Sequence, residues 1–357
     1  MFGIWVLEFG ICVFLSKNTP MILVTGSTGL VGSNLLIDLI QKGFTVRALY
    51  RKEEQKERVR DVFDLHADKT LKQFEAIRWV KGDILDIGFL AEAMAGVTDV
   101  YHTAAILTFS TRHAEELIIN NQQGTANIVN AALQNNIRKL CHVSSVTSIA
   151  RNIQKEVITE ESPWKSVRNQ VPYAVSKIES EREVWRGIAE GLNAVIVNPG
   201  VILGYGDPRR DSGRLIPSLS RMTRLYTSGI TGMVGVRDVT RAMIMLMESN
   251  ISGERFILNA ENVSYRRLTE MVALALGRPR PSIRIPVAVL EAAWRLDHIR
   301  SLLTGNDPFI KKAVARSARE RTYYSGEKIT RVLPFQYTPI EEVVMEVCRQ
   351  IRTAKDL

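Results

Sequence analysis

The sequence predicts an α/β protein built on a doubly wound parallel sheet, with a smaller, mostly helical lobe towards the C-terminal end. From residue 21 onwards, apolar runs of strand length alternate with helical patterns, as they do in parallel sheets. The first of these runs breaks into three glycines before its helix begins. The chain has 357 residues, of which 45% are hydrophobic and 24% are charged, so it can bury a large core.

The predicted fold starts with a strand, a glycine loop and a helix. Residues 21–25 form an apolar run, and apolar residues then recur at helical spacing until Gly43 ends the pattern. Between them, Gly26 permits a tight turn, Gly29 permits close approach of the backbone to a diphosphate, and Gly32 permits close packing of helix on strand. The helix N-terminus offers unpaired N–H groups to an anion. The loop therefore predicts a site for a dinucleotide phosphate.

The later elements follow the same alternation. Strands are predicted over residues 45–51, 77–81, 99–105, 139–145 and 254–259, and a further strand runs from residue 193 into a turn at Pro199-Gly200. Residues 52–70 are predicted to form an exposed helix and a loop. Further helices are predicted over residues 120–132, around residues 173–177, and over residues 265–312, where prolines interrupt the helical pattern. Near the end, Thr338-Pro-Ile-Glu341 predicts a capping box with proline at the first helical position.

The sequence predicts three segments. Residues 1–20 form an N-terminal extension outside the working fold, because their apolar stretch has no preceding basic residues and is shorter than the roughly 20 residues of a membrane span. An amphipathic membrane anchor is the alternative interpretation of this segment. Residues 21–204 form the nucleotide-binding domain with the catalytic residues. Residues 205–357 form the substrate lobe, of which about 232–260 return to the main domain.

Charge and cysteine content restrict the partners. The net charge of +9 indicates a solvated basic surface, because no long basic tract or nucleic-acid motif accompanies it. We expect no nucleic-acid partner, no membrane partner and no metal site. Three cysteines without metal-binding spacing indicate a reducing cytoplasm. A cluster of arginines is interpreted as a solvated helical face, with an anionic-substrate site as the alternative: Arg209, Arg210, Arg214, Arg221 and Arg224.

A tyrosine and a lysine four residues apart carry the predicted chemistry. Tyr173 and Lys177 share one face of a helix. A free phenol titrates near a pKa of about 10, and a neighbouring cation lowers that pKa towards the pH at which a proton is easily exchanged. Ser144 and Ser145 end the strand that precedes this helix. The arrangement predicts a proton-transfer site.

Together these motifs resemble those of the extended short-chain dehydrogenases/reductases, the NAD-dependent epimerase/dehydratase family. The Gly-x-x-Gly-x-x-Gly spacing, the Asn-x-x-Gly-Thr-x-Asn segment that starts at Asn121, and the Tyr-x-x-x-Lys pair carry the resemblance, which covers residues 21 to about 350. Residues 46–51 and 198–204 are most similar to the dihydroflavonol reductase and 3β-hydroxysteroid dehydrogenase side. The resemblance implies a Rossmann-type fold and a nicotinamide cofactor.

The resemblance also implies residue roles. Tyr173 would exchange a proton with the substrate oxygen, Lys177 would hold the nicotinamide ribose, and Ser145 would orient the substrate oxygen. Ser145 is chosen because the family's serine is the last of the cluster, and Ser144 is the alternative. His102, on the fourth strand, is interpreted as a core residue. The resemblance places these residues at the cofactor: Gly26, Thr28, Gly29, Leu30, Val31, Arg51, Asp83, Ile84, Ala104, Tyr173, Lys177 and Pro199.

Arg51 favours NADP over NAD. An NAD-preferring site usually carries Asp or Glu about 20 residues past the glycines, where it accepts from the ribose 2′-hydroxyl. This chain has Tyr50, Arg51 and Lys52 there instead. The Arg51 guanidinium can pair with a 2′-phosphate through two hydrogen bonds. A surface arginine at a strand end is the alternative interpretation.

The sequence therefore predicts an NADP-dependent oxidoreductase that interconverts a carbonyl and a secondary alcohol on a small, mostly apolar substrate by hydride transfer. One alternative is a nucleotide-sugar epimerase or dehydratase with tightly bound NAD(P). Another is a non-catalytic NADP-sensing protein. The resemblance also suggests a homodimer through helices near residues 116–135 and 173–190. The substrate, the direction of reaction and the oligomeric state stay open.

Overall fold

A computed structural model of the chain describes residues 20–65, 74–106, 114–150, 157–164, 166–168, 170–206, 213, 215–221, 224–304, 315–316 and 318–354. Expectations about residues 1–19 and about Arg209, Arg210 and Arg214 lie outside the described residues.

The strands and helices are numbered here in chain order. The strands are β1 (Met21–Thr25), β2 (Thr45–Tyr50), β3 (Arg78–Lys81), β4 (Asp99–His102), β5 (Lys139–Val143), β6 (Val157–Ile158), β7 (Ala194–Pro199), β8 (Val201–Leu203), β9 (Leu225–Tyr226), β10 (Ile230–Gly235), β11 (Glu254–Leu258), β12 (Glu261–Ser264), β13 (Ile283–Arg284) and β14 (Tyr323–Tyr324). The helices are α1 (Leu30–Gln41), α2 (Glu53–Asp64), α3 (Ile87–Met94), α4 (Ala114–Gln134), α5 (Pro172–Ala189), α6 (Leu215–Arg221), α7 (Val236–Glu248), α8 (Tyr265–Ala275), α9 (Val287–Thr304), α10 (Glu327–Val332) and α11 (Ile340–Thr353).

The central sheet has seven strands in the order β11-β7-β5-β4-β1-β2-β3, and every neighbouring pair in it is parallel. The chain builds outwards from β1 to β3 and then returns to place β4 on the other side of β1. The strand order reverses between β1 and β4, and ligands of open α/β sheets bind at such a reversal. The predicted Rossmann-type fold is confirmed.

Both faces of the central sheet are covered. Side chains of β1 alternate between the two faces: Ile22 and Val24 join one buried apolar cluster, whereas Leu23 joins another. The first cluster includes residues of α1, α7 and α11, and the second includes residues of α3, α4 and α5. A strand that is apolar throughout, as β1 is, fits this two-sided burial.

The predicted strand that runs from residue 193 into a turn at Pro199-Gly200 is confirmed, since β7 ends at Pro199 and a second strand, β8, follows the turn. β7 belongs to the central sheet, whereas β8 pairs with β10 in a separate sheet of three strands. A Cβ atom on Gly200 would lie 2.5 Å from the carbonyl oxygen of Gly232, so the two backbones meet where the chain changes sheet. The predicted strands over 99–105 and 139–145 end early, at His102 and Val143, and the residues that follow turn towards the site described below.

The predicted capping box at Thr338 is wrong. The Thr338 hydroxyl donates to Asp238 Oδ1 at 3.0 Å, and its N–H donates to Oδ2 of the same carboxylate at 2.8 Å. Helix α11 begins at Ile340, whose N–H donates to Glu261 Oε1 at 2.8 Å. Carboxylates from other elements therefore satisfy the start of α11, and no local sequence pattern carries that information.

Three further features concern the partners expected above. Within the described residues, none of the helices is both long and apolar enough to cross a bilayer. In the same part of the chain, no group of three or more His, Cys, Asp or Glu side chains could hold a metal ion. Cys141 and Cys348 are buried thiols. The cytoplasmic location inferred from the cysteines stays a prediction.

Candidate active site

The glycine loop joins β1 to α1 at the strand-order reversal. Gly26 has a φ of +66°, and a Cβ there would lie 2.5 Å from the backbone nitrogen of Ala104. A Cβ on Gly32 would lie 2.2 Å from the Gly26 carbonyl oxygen. By contrast, a Cβ on Gly29 would meet only its own loop, at 3.3 Å from the same oxygen. The loop thus needs glycine at 26 and 32 for packing, while Gly29 leaves space above the helix N-terminus.

A groove runs from this loop along the ends of β1, β2, β3 and β4. Its walls also contain Tyr50, Gln55 and Ile106, of which sequence analysis assigned none to the cofactor. Leu30 opens α1, and its side chain lies against Gly204 and Gly206. The predicted cofactor residues on the groove walls are Gly26, Thr28, Gly29, Arg51, Asp83, Ile84 and Ala104. Those not on its walls are Leu30, Val31, Tyr173, Lys177 and Pro199.

Arg51 and Asp83 face each other across the groove. The Arg51 Nη1 lies 3.7 Å from Asp83 Oδ2, and both side chains are about half exposed. A pair so open to solvent is weak, so the guanidinium can turn to a stronger anionic partner at little cost. Thr28 and Gln55 lie on the same wall, with the Thr28 hydroxyl donating to Gln55 Oε1 at 3.5 Å.

Asn121 connects the far end of the groove to helix α5. Its amide oxygen accepts from the Ile106 N–H at 2.7 Å, and its Nδ2 donates to the Ile106 carbonyl at 3.0 Å. The same Nδ2 donates to the Ser176 hydroxyl at 3.0 Å. Ser176 lies between Tyr173 and Lys177 on α5 and donates to the Tyr173 carbonyl at 2.9 Å. The cofactor groove and the predicted proton-transfer residues are therefore neighbours.

The Ser145 side chain lies close enough to the Tyr173 phenol to influence its pKa. Burial raises the pKa of Tyr173 to about 12, and the Ser145 side chain opposes that rise. The phenol is therefore protonated at neutral pH. Ser145 Oγ also accepts from the Thr147 N–H at 3.2 Å, which fixes the hydroxyl at the start of a 3₁₀ turn, Val146–Ser148.

Lys177 is buried one turn further along α5. Its ammonium donates to the Val143 carbonyl at 2.9 Å, where β5 ends. Burial lowers the pKa of Lys177 to about 8, and the negative charge of Glu181 opposes that shift. Burial has the largest effect on the pKa of Tyr173. The expected lowering of this pKa by Lys177 stays a prediction.

The two adjacent serines have different environments. The Ser144 hydroxyl donates to the buried carboxylate of Glu181, with Oγ to Oε2 at 2.6 Å. The Ser145 side chain instead lies beside Tyr173. This difference favours Ser145 over Ser144 as the residue that orients a substrate oxygen.

His102 behaves as the core histidine that the sequence analysis expected. Its Nδ1 lies 2.7 Å from the Thr25 hydroxyl, and its Nε2 lies 3.1 Å from the Thr125 hydroxyl. Burial lowers the pKa of His102 to about 3, so it is neutral. One ring nitrogen thus contacts the neighbouring strand β1 and the other contacts helix α4, and the residue is not on the walls of the groove.

A family model for NAD-dependent epimerases and dehydratases matches residues 22–259, which is more than half of the chain. The chain belongs to the NAD-dependent epimerase/dehydratase family. Among curated relatives of this epimerase/dehydratase protein, a putative dihydroflavonol 4-reductase from Synechocystis sp. is 26% identical and covers 90% of this chain and 92% of its own length. Cinnamoyl-CoA reductase 1 from Petunia hybrida is 28% identical and covers 70% and 75%.

A solved structure of UDP-glucose 4-epimerase from Thermus thermophilus in complex with NAD has a TM-score of 0.69 and 20% identity, and it covers 94% of this chain and 99% of the epimerase. This likeness agrees with the fold described above. With its family and its reductase relatives, the chain is an NAD(P)-dependent oxidoreductase of the extended short-chain dehydrogenase type.

Proposed function

We propose that this protein is an NADP-dependent reductase that converts a carbonyl group of a small, mostly apolar substrate into a secondary alcohol. The observation that carries the proposal is that Ser145 and Tyr173 lie next to each other, with Lys177 one turn away on the same helix and bonded to the end of β5. A protonated phenol beside a second hydroxyl is suited to hold a carbonyl oxygen and to give it a proton. The relatives that are named as reductases support a reduction.

The groove fits a dinucleotide. The space above Gly29 would accept a diphosphate against the N-terminus of α1, with Thr28, Leu30 and Val31 around it. Asp83 and Ile84 would contact the adenosine half, and Ala104 and Pro199 the nicotinamide half. When bound, the nicotinamide ring supplies the hydride.

Arg51 supports NADP as the preferred cofactor. Arg51 directly follows β2 and lies on the groove wall. In the described part of the chain, its only charged contact is the long, exposed ion pair with Asp83. A 2′-phosphate would offer this guanidinium two charge-assisted hydrogen bonds. NAD carries a 2′-hydroxyl at this position, and no carboxylate at the end of β2 would accept a hydrogen bond from it.

The chain's own side chains divide the remaining work. Ser145 orients the substrate oxygen by donating to it, and Tyr173 transfers its phenolic proton to that oxygen. Because burial raises the pKa of Tyr173 to about 12, the phenol is protonated at neutral pH and can donate the proton that reduction requires. Lys177 holds the ribose and, when charged, favours the phenolate that remains after transfer.

The proposal is tested by incubating the purified protein with NADPH or NADH and a panel of ketones, aldehydes and nucleotide sugars. We expect NADPH consumption with at least one apolar carbonyl compound and slower consumption of NADH. A tightly bound cofactor with interconversion of a nucleotide sugar and no net consumption would make the protein an epimerase or dehydratase. Cofactor binding without turnover of any compound would favour a sensing protein.

The expected homodimer belongs to the same proposal. Helices α4 and α5 pack against each other beside the site, and Ile119 on α4 is 53% exposed. A second copy would cover this face in a four-helix contact. Sedimentation of the wild type and of Ile119→Glu tests it, because the charge would dissociate such a dimer and would leave a monomer unchanged.

A further inference from the structure

Glu181 is a fully buried carboxylate that accepts hydrogen bonds from six side chains. Its own side chain is 0% exposed, and it lies four residues after Lys177 on α5. Oε2 accepts at 2.6, 2.7 and 2.8 Å from Ser144 Oγ, Ser148 Oγ and Asn198 Nδ2. Oε1 accepts at 3.2, 3.4 and 3.3 Å from Trp164 Nε1, Trp185 Nε1 and Arg255 Nη1. The family resemblance assigned no role to this residue.

The donors to Oε2 surround Ser145. Ser144 precedes it, and Ser148 follows it by one turn. Ser148 Oγ and Asn198 Nδ2 also lie 2.8 and 3.2 Å from the Ser145 carbonyl oxygen, so the single hydroxyl proton of Ser148 is shared between that oxygen and Glu181. The backbone of Ser145 is thus held by the same groups that Glu181 holds, and Asn198 directly precedes Pro199 on β7.

The carboxylate of Glu181 is charged despite its burial. Burial raises its pKa, but hydrogen bonds from Ser144 and Ser148 and the charge of Arg255 lower it, and the net shift is downwards. The short distances to Oε2 fit charge-assisted hydrogen bonds. The charge in turn opposes the effect of burial on Lys177. Glu181 therefore contacts the segment that carries Ser145 and influences the charge of Lys177.

We propose that Glu181 is a positioning residue of the reaction, which holds the backbone around Ser145 so that the Ser145 hydroxyl meets the hydroxyl of Tyr173. This inference rests on the proposed function, since it assigns a use to that contact. Glu181 is not on the walls of the groove, and it acts on the site through Ser144, Ser148 and Asn198 and through the charge of Lys177.

A glutamine of the same size cannot replace the carboxylate. All six groups donate to Glu181, whereas an amide has one accepting and one donating end. If the amide nitrogen faced Arg255 and the two indoles, its N–H groups would point at N–H groups of those side chains, and no acceptor would be present. If it faced Asn198, the same conflict would arise on the side of Ser145. Glu181→Gln must therefore displace one of the two groups of donors, and in either orientation it removes the negative charge that strengthens the bonds from Ser144, Ser148 and Asn198.

Asp238→Asn provides the matched control. Asp238 is a buried carboxylate that accepts from Thr338 and pairs with Arg241 at 2.7 Å, but its contacts lie at the start of α11. Both variants lose a charge from a buried hydrogen-bonded site, and both are expected to lower thermal stability. Only Glu181→Gln should alter the groups that hold Ser145.

The experiment compares the wild type, Glu181→Gln and Asp238→Asn in three measurements. We expect Glu181→Gln to lower kcat by about 10- to 100-fold with little change in KM, because small displacements of reacting groups have effects of that size. In the wild type, kcat/KM for NADPH should fall above a pH of about 8, where Lys177 loses its charge. In Glu181→Gln this fall should occur at lower pH, because the carboxylate no longer supports the charge of Lys177. With tyrosine labelled with ¹³C at Cζ, the Tyr173 resonance, assigned with Tyr173→Phe, should shift.

The NMR measurement needs no substrate, so it separates this inference from the proposed function. If no compound in the panel is turned over by the wild type, the proposed function fails, and an unmoved Tyr173 resonance in Glu181→Gln overturns the positioning role by itself. If Glu181→Gln does not fold, the double variant Ser144→Ala/Ser148→Ala removes two donors to Oε2 while keeping the carboxylate with its cationic partner. It should shift the same resonance.

The outcome that would show a structural role alone is a loss of stability in Glu181→Gln equal to that in Asp238→Asn, with kcat, the pH profile and the Tyr173 resonance all unchanged.

Discussion

The ammonium of Lys177 donates a hydrogen bond to the carbonyl oxygen of Val143, with Nζ 2.9 Å from O. This bond joins the middle of helix α5 to the last residue of strand β5, directly before Ser144 and Ser145. The charge of Lys177 is buried, and its pKa is lowered to about 8. A lysine held in this way changes its charge close to physiological pH.

This titration predicts a pH dependence of cofactor binding. Lys177 is charged below a pH of about 8 and loses its charge as the pH rises through that value. If the charged form holds the ribose, kcat/KM for NADPH should be highest below about pH 8 and fall above it, since that ratio reports groups of the free enzyme. Lys177→Met should bind NADPH more weakly and show no such decrease.

Lys139→Met is the control for a buried lysine. Lys139 donates to the carbonyls of Leu246 and Ser249 at 2.6 and 2.8 Å, at the end of α7. Its loss should lower the free energy of unfolding by about 1–3 kcal/mol through unsatisfied carbonyls and leave the alkaline decrease in place. A decrease that persists in Lys177→Met would contradict the assignment.

Two glycines of the first loop should respond differently to alanine. In Gly32→Ala the new Cβ would lie 2.2 Å from a backbone oxygen, and we expect the free energy of unfolding to fall by about 2–3 kcal/mol. In Gly29→Ala the Cβ has space apart from one contact at 3.3 Å, so the protein should fold almost normally but bind NADPH at least about tenfold more weakly. Urea unfolding and NADPH fluorescence measure the two effects. Equal losses of stability would refute this division.

Arg51→Ala tests cofactor preference. Because the guanidinium is half exposed, its charge-assisted hydrogen bonds to a 2′-phosphate should together be worth about 1.5–3 kcal/mol, so the Kd of NADPH should rise by about 10- to 100-fold. The Kd of NADH should change by less than about threefold, because NADH carries no such phosphate. Lys42→Ala, which removes an exposed ion pair with Glu248, should change neither constant. Parallel weakening of NADPH and NADH would show that Arg51 does not select the phosphate.

Alanine at each of the two serines tests which hydroxyl orients the substrate. Ser145→Ala removes the hydroxyl beside Tyr173 and should lower kcat by about 10²- to 10³-fold, as does the loss of one donor to a reacting oxygen. Ser144→Ala removes only one of the bonds to Glu181 and should lower kcat by less than about tenfold. Steady-state kinetics with one carbonyl substrate decide between them, and the reverse order of effects would assign the role to Ser144.

Much of the fold and of the cofactor groove follows from local sequence. The alternation of strand-length and helical patterns and the spacing of the glycines were sufficient to predict the parallel sheet and its first loop. The turn at Pro199-Gly200 was also predicted, but the pairing of β8 with β10 in a separate sheet was not, because it depends on the approach of Gly232 from another part of the chain.

The network around Glu181 was missed for the same reason. Its donors include Trp164 and Arg255, which are 91 residues apart in the chain and meet only after the sheet has formed. One signal was present in the sequence: Glu181 follows Lys177 by four residues, so the two share a helix face with Tyr173. Local patterns indicated candidates for the reacting groups but did not reveal the residues that contact the segments on which those candidates lie.

Tyr173→Phe tests the central claim most directly, because it removes one oxygen atom from the site and leaves the ring. NADPH affinity should change by less than about threefold, since the rest of the groove is intact, and the rate of NADPH oxidation with a carbonyl substrate should fall by at least about 10²-fold. Binding and turnover are measured on the same preparation by fluorescence and absorbance. Retention of most of the turnover would contradict the assignment of Tyr173 as the proton donor.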